Sequence, residues 1–168
     1  MFVIVGVVAL AALAGGGAYA LRVAFAGPPV PKTVVYHDPG GRFYFTAPAL
    51  WSVTSQSDGA LVTDSSGANT VTIKDAPAVG GQSAVTIAEG MAHQQGLQTG
   101  QPVMIGGDSW QQRSGRVTGQ DGATREIVAL VDLRAGEVYT IELSSPTSSF
   151  ATINNLVYQP LLASFAFA

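Results

Sequence analysis

Read from its first residue, the chain opens on an apolar run. Residues 1–26 read MFVIVGVVALAALAGGGAYALRVAFA, with no charged side chain before Arg22. At about 1.5 Å per residue, a run of that length predicts one α-helix able to cross a bilayer core of roughly 30 Å. Ala12, Gly16, Ala20 and Ala24 recur every four residues and share one face of such a helix. Small residues let another helix approach closely, and this packing drives association where lipid removes the hydrophobic incentive. Gly15-Gly16-Gly17 weakens the helix intrinsically, so outside support is expected. The expected partners are the lipid bilayer and transmembrane helices of a larger membrane complex. A cleavable secretory leader is the other reading, since Ala18-Tyr19-Ala20 and Ala24-Phe25-Ala26 both have the A-x-A pattern. The missing basic n-region and the length of the run favour a retained helix.

Beyond the run the pattern changes. A linker over residues 27–34 begins with Gly27-Pro28-Pro29-Val30-Pro31, which ends the helix and favours an extended spacer. Residues 35–168 form the soluble domain. Residues 33–36 suit a short edge strand, and Asp38-Pro39-Gly40-Gly41 a turn. Phe43 and Phe45 alternate with Tyr44 and Thr46, the period of a strand with one buried face, and Pro48 stops it. Residues 60–64 and 69–75 predict a hairpin turning at Ser65-Ser66-Gly67. After Gly80-Gly81, Thr86 and Glu89 have capping-box spacing for a helix that ends near Gly96 or Gly100. Its inner face is Ile87, Ala88, Met91 and Ala92. Four strands follow at hairpin spacing, over 102–105, 109–118, 124–133 and 137–144. In the last of them Tyr139, Ile141 and Leu143 are expected inward. Phe150, Ile153, Leu156, Val157 and Leu161 then recur at helical spacing, with Pro160 kinking or restarting the helix. Consecutive hairpins with two amphipathic helices predict an α+β fold, an antiparallel sheet covered by helices in α-β-α layers.

Composition narrows the chemistry. The net charge is −3, which speaks against a nucleic-acid partner, and there is no cysteine for a disulfide, a thiolate metal site or a thiol nucleophile. The two histidines, His37 beside the first turn and His93 among glutamines, read as solvated polar residues. No G-x-S-x-G elbow, phosphate-binding loop or dinucleotide fingerprint occurs, and Asp58, Asp64 and Asp75 lack EF-hand spacing. Trp51 and Trp110 read as core residues, with an exposed Trp110 the alternative as an interface anchor. No catalytic, metal-binding or cofactor-binding residue is therefore expected.

Four stretches carry a resemblance. They are Gly41-Arg42-Phe43-Tyr44-Phe45 followed by Pro48 and Leu50-Trp51; the small-residue loop and helix at 86–97; Val103-Met104-Ile105-Gly106-Gly107; and Glu137-Val138-Tyr139-Thr140-Ile141 to Ser145-Pro146 with a helix closing on Ala163-Ser164-Phe165. In order and spacing, over roughly residues 35–167, they resemble the PsbP/Mog1-like family. That family includes the extrinsic PsbP proteins of photosystem II and mycobacterial LpqN-type lipoproteins. The resemblance implies a non-enzymatic accessory or assembly role on a large membrane complex, photosynthetic or respiratory; a membrane-tethered module binding a small ligand or lipid is the alternative. An N-terminal transmembrane helix departs from the extrinsic PsbP pattern. The expected location is a single-pass membrane protein with an extracytoplasmic domain. The positive-inside rule, applied to Arg22, Lys32 and Arg42, argues for the cytoplasmic side instead.

Gly16→Leu or Ala20→Leu should release the protein from its complex while the soluble domain stays folded, because a branched side chain on the small-residue face pushes helices apart. Co-purification of the complex from the native membrane checks this, and unchanged recovery with both variants would sink it.

Overall fold

Alternation in Phe43–Pro48 sets the first layer. Phe43, Phe45 and Ala47 are fully buried while Tyr44 points outward. A computed structural model describes residues 32–119 and 122–168. The expected transmembrane helix 1–26, its face of Ala12, Gly16, Ala20 and Ala24, and most of the linker lie outside the described residues. Among the described residues no helix is long and apolar enough to cross a membrane.

Strand β1 (Thr33–His37) pairs antiparallel with β2 (Phe43–Pro48), Tyr36 opposite Phe45. The predicted turn joins them: the Gly41 N–H donates to the Asp38 carbonyl at 2.8 Å. Strands β3 (Ser52–Gln56), β4 (Gly59–Thr63) and β5 (Thr70–Pro77) form an antiparallel meander. The β3–β4 hairpin is not assigned by the sequence pattern, because β3 is short and polar. Gly59 makes it possible: its φ is +147°, and a Cβ there would lie 1.9 Å from the Ile73 carbonyl oxygen. The β4–β5 hairpin turns at Ser65-Ser66-Gly67 as expected. The Asp64 carboxylate holds that turn, accepting from Ser66 Oγ at 2.8 Å and Asn69 Nδ2 at 2.7 Å.

Helix α1 (Ala84–Gln95) begins one turn earlier than the Thr86–Glu89 box predicts. Ser83 is extended, at φ −109° and ψ 159°, and its Oγ accepts the Thr86 N–H, so it takes the cap. Gly96 ends the helix in the left-handed conformation, one of the two stops anticipated. Strands β6 (Gln98–Thr99), β7 (Val103–Ile105), β8 (Asp108–Thr118), β9 (Thr124–Arg134) and β10 (Glu137–Pro146) follow. The large sheet is antiparallel in the order β3-β4-β5-β10-β9-β8-β6, with β7 folded back on β8. Helix α1 lies over β8 and β9, where Gly115 and Ala129 admit a close approach; a Cβ at Gly115 would meet Leu97 at 3.3 Å. Residues of opposite parity, Leu130, Ile141 and Leu143, face the main core on the other side, as expected for β10.

The C-terminal helix covers that core face, in three pieces. Helix α2 (Phe150–Ile153) leads into a π-helical segment (Asn154–Tyr158) and then α3 (Gln159–Ser164), with Pro160 in the first turn of α3, where the restart was expected. The predicted apolar stripe is corrected at one position: Leu156 is 56% exposed, and the buried residues are Val157, Tyr158, Leu161 and Leu162. The extra residue of the π turn rotates the following stretch, so Tyr158 faces inward as well as Val157. Its hydroxyl donates to the Ser144 carbonyl at 2.7 Å and lies against Ser145 Oγ. Strand β11 (Ala166–Phe167), unforeseen, pairs with β2 and completes a small sheet, β1-β2-β11. Two antiparallel sheets and two helical layers make an α+β architecture.

Burying an apolar side chain of this kind contributes roughly 1.5–3 kcal/mol. The C-terminal helix with Phe165 supplies five, against about 5–15 kcal/mol for a whole domain. Truncation before Phe150 should therefore abolish the cooperative thermal transition seen by near-UV circular dichroism. A truncated chain melting at the full-length temperature would show the helix to be peripheral.

Candidate functional site

Between the C-terminal helix and the large sheet lies a cleft of about 200 Å³. Its floor is Val128 and Leu130 of β9 with Leu143 of β10, and its roof is Leu162 and Ala163 of α3. The side wall is β7, bent back because Gly106 and Gly107 take φ +61° and +92° in the turn before β8. Trp110 Nε1 pins that wall by donating to the Ile105 carbonyl at 3.2 Å. Met104, on the outer side of β7, is 69% exposed and reaches the opening. Three carboxamides complete the lining, those of Gln112, Asn154 and Gln159, and no lining residue is ionisable.

The π segment puts two of these amides together. In an α-helix, residues five apart are rotated by about 140°. Here the Gln159 N–H bonds the Asn154 carbonyl, an i to i+5 closure that stacks the two residues, and Gln159 Nε2 reaches Asn154 Oδ1 at 3.4 Å. Such π turns are frequent at functional sites.

Away from the cleft, charged groups brace the fold. Arg42 grips Asp38 through Nε at 2.7 Å and Nη2 at 2.8 Å and also pairs with Asp75, tying the β1–β2 turn to β5. The Arg42 hydrogen bond holds the Asp38 carboxyl below its ordinary pKa against the opposing effect of burial. Asp132 is the reverse case: burial, aided by the nearby Asp108 carboxylate, raises its pKa despite Arg134. Arg134 pairs with Asp108 and lies 4.4 Å from the centre of the Phe167 ring.

The residues singled out from sequence fall elsewhere. His37 ends β1 and His93 sits on α1; both are exposed, and neither lines the cleft. Trp110 is wholly buried against Phe165 and Phe167, so it is core and not a surface anchor, and Trp51 packs edge-on against Tyr158. Among the described residues no group of three or more His, Asp or Glu is placed to hold a metal ion. A cleft between sheet and helix belongs to the ligand-binding alternative, but none of its lining residues is singled out for that role from the sequence. Its one signal is the consecutive Leu156-Val157-Tyr158, too apolar for a single helical stripe.

No protein-family profile and no curated protein matches the chain. Solved structures do. The solution structure of cyanobacterial PsbP from Synechocystis sp. PCC 6803 superposes with a TM-score of 0.60 at 16% identity, over 85% of this chain and 96% of that one. LpqN, described as involved in cell envelope biogenesis of Mycobacterium tuberculosis, matches with 0.59 at 15%, over 82% and 91%. The Saccharomyces cerevisiae Ran-binding protein Mog1p matches with 0.54 at 10%, over 80% and 95%. The fold is PsbP/Mog1/LpqN-like. At these identities the likeness extends to architecture alone.

Asp132 generates a pH-dependent expectation. Burial lifts its folded pKa above the ordinary carboxylate value, so the folded state holds this proton more tightly. Stability is then fullest below about pH 4 and declines as pH rises towards the folded pKa. Asp132→Asn should raise the melting temperature at pH 7, with the gain vanishing below about pH 4. Calorimetry across pH 3–8 checks it, and a gain independent of pH would refute the burial argument.

Proposed function

We propose that this protein is a non-catalytic accessory subunit of a membrane complex. Its apolar segment 1–26 holds it in the bilayer against partner helices through Ala12, Gly16, Ala20 and Ala24, with the folded unit on the extracytoplasmic side. The folded unit docks a protein partner at the cleft beside the π segment. The observation that carries this reading is the cleft: an apolar floor, a rim of three carboxamides and no ionisable group in the lining. That lining suits binding better than acid–base or nucleophilic chemistry, which needs titratable groups within reach. The fold is also compatible with protein binding, since Mog1p is described as a Ran-binding protein. A second reading is favoured by the same cleft, namely a tethered module for a small neutral ligand. Its volume of about 200 Å³, below the roughly 300–1,000 Å³ of sites for drug-sized ligands, supports protein docking over that second reading.

Ala163 is exposed at the cleft roof, so Ala163→Trp fills the cleft without disturbing the core. Full-length Ala163→Trp should remain in the membrane fraction with an unchanged melting temperature while recovery of its protein partner drops at least tenfold. Undiminished recovery would exclude docking at this cleft.

A further inference from the structure

We infer that the occupant of the cleft is one phenyl-sized apolar side chain carried on a peptide segment of the partner; the inference rests on the docking reading above. Size selects the side chain. An apolar cavity of about 150 Å³ takes one benzene. At about 200 Å³ this cleft holds a ring with a few atoms to spare, too little for a whole drug-sized ligand or cofactor. Charge selects the same class, because an uncharged lining gives an ionised headgroup no counter-charge.

The rim selects the peptide. A carboxamide both donates and accepts, as a peptide unit does. Asn154 and Gln159 are stacked at the mouth, and the 3.4 Å bond between them uses one donor and one acceptor, leaving the Asn154 amide hydrogens and the Gln159 carbonyl for a passing backbone. Gln112 supplies a third amide from β8. Met104 adds an unbranched, polarizable side chain at the opening that adapts to the ring it covers. The arrangement follows the anatomy of an interface hot spot, a buried anchor ringed by polar groups.

The test uses the full chain in phosphatidylcholine nanodiscs with labelled Val, Leu, Ile and Met methyls. N-acetyl-L-phenylalaninamide is titrated as the probe, against N-acetylglycinamide and octanoate. The expected result is saturable shifts at Met104, Val128, Leu143 and Leu162, with a dissociation constant of the order of 1 mM for so small a ligand. N-acetylglycinamide and octanoate should leave these methyls unmoved. Ala163→Trp should weaken the probe at least tenfold while the Ile127 methyls, on the α1 side, keep their positions and report an intact fold. Octanoate binding as tightly as the phenylalanine probe would overturn the inference in favour of a lipid tail. Absence of any probe binding would also overturn it; if Ala163→Trp still abolishes partner recovery, docking stands and only the identity of the anchor falls.

Discussion

The architecture turns on where one hydroxyl goes. Tyr158 is fully buried, and a buried phenol needs a hydrogen-bond partner. It finds the Ser144 carbonyl and Ser145 Oγ at the end of β10. Burial pushes its pKa up and keeps it a donor. To seat Tyr158 beside Val157, the helix adopts the π turn, and that turn stacks Asn154 and Gln159 at the cleft mouth. The core contact and the candidate site are consequences of one local distortion.

A second constraint joins the two sheets. Phe43, Phe165, Phe167 and Trp110 pack in succession, with ring centroids 5.6 Å apart for Phe43–Phe165 and for Trp110–Phe165. On the surface the Asp38–Arg42–Asp75 bridge makes the same connection with charge. Side-chain exposure of 23% at Arg42 and none at Asp38 gives it more value than a solvated pair, since water screens it less.

Most elements were legible because they rest on period and punctuation. The Phe43/Phe45 alternation, the Gly106-Gly107 turn and the inward set Tyr139, Ile141 and Leu143 are local patterns, and they survive in the fold. The failures share another cause. The α1 cap moved to Ser83 because two hydroxyl residues three apart compete and backbone conformation decides. Leu156 falls outward because the π turn at Asn154–Tyr158 breaks the regular helical period before Pro160 is reached. Strand β11 has two residues and no periodicity at all. The lining of the cleft lay beyond reach for the same reason: it comes from β7, β8, β9, β10 and the C-terminal helix, which only tertiary structure brings together.

The pairing of β11 with β2 sets the order in which the molecule can be made. Phe167 lies opposite Phe43, and Ile141 opposite Ile73, so both sheets are closed by contacts between stretches far apart in sequence. Such pairings carry a large loop-closure entropy and form late. Until Ala166 and Phe167 pair with Tyr44 and Phe43, the second edge of β2 has no strand beside it. During that interval the nascent chain exposes Phe43 and Phe45, and it is then that a chaperone has something to hold.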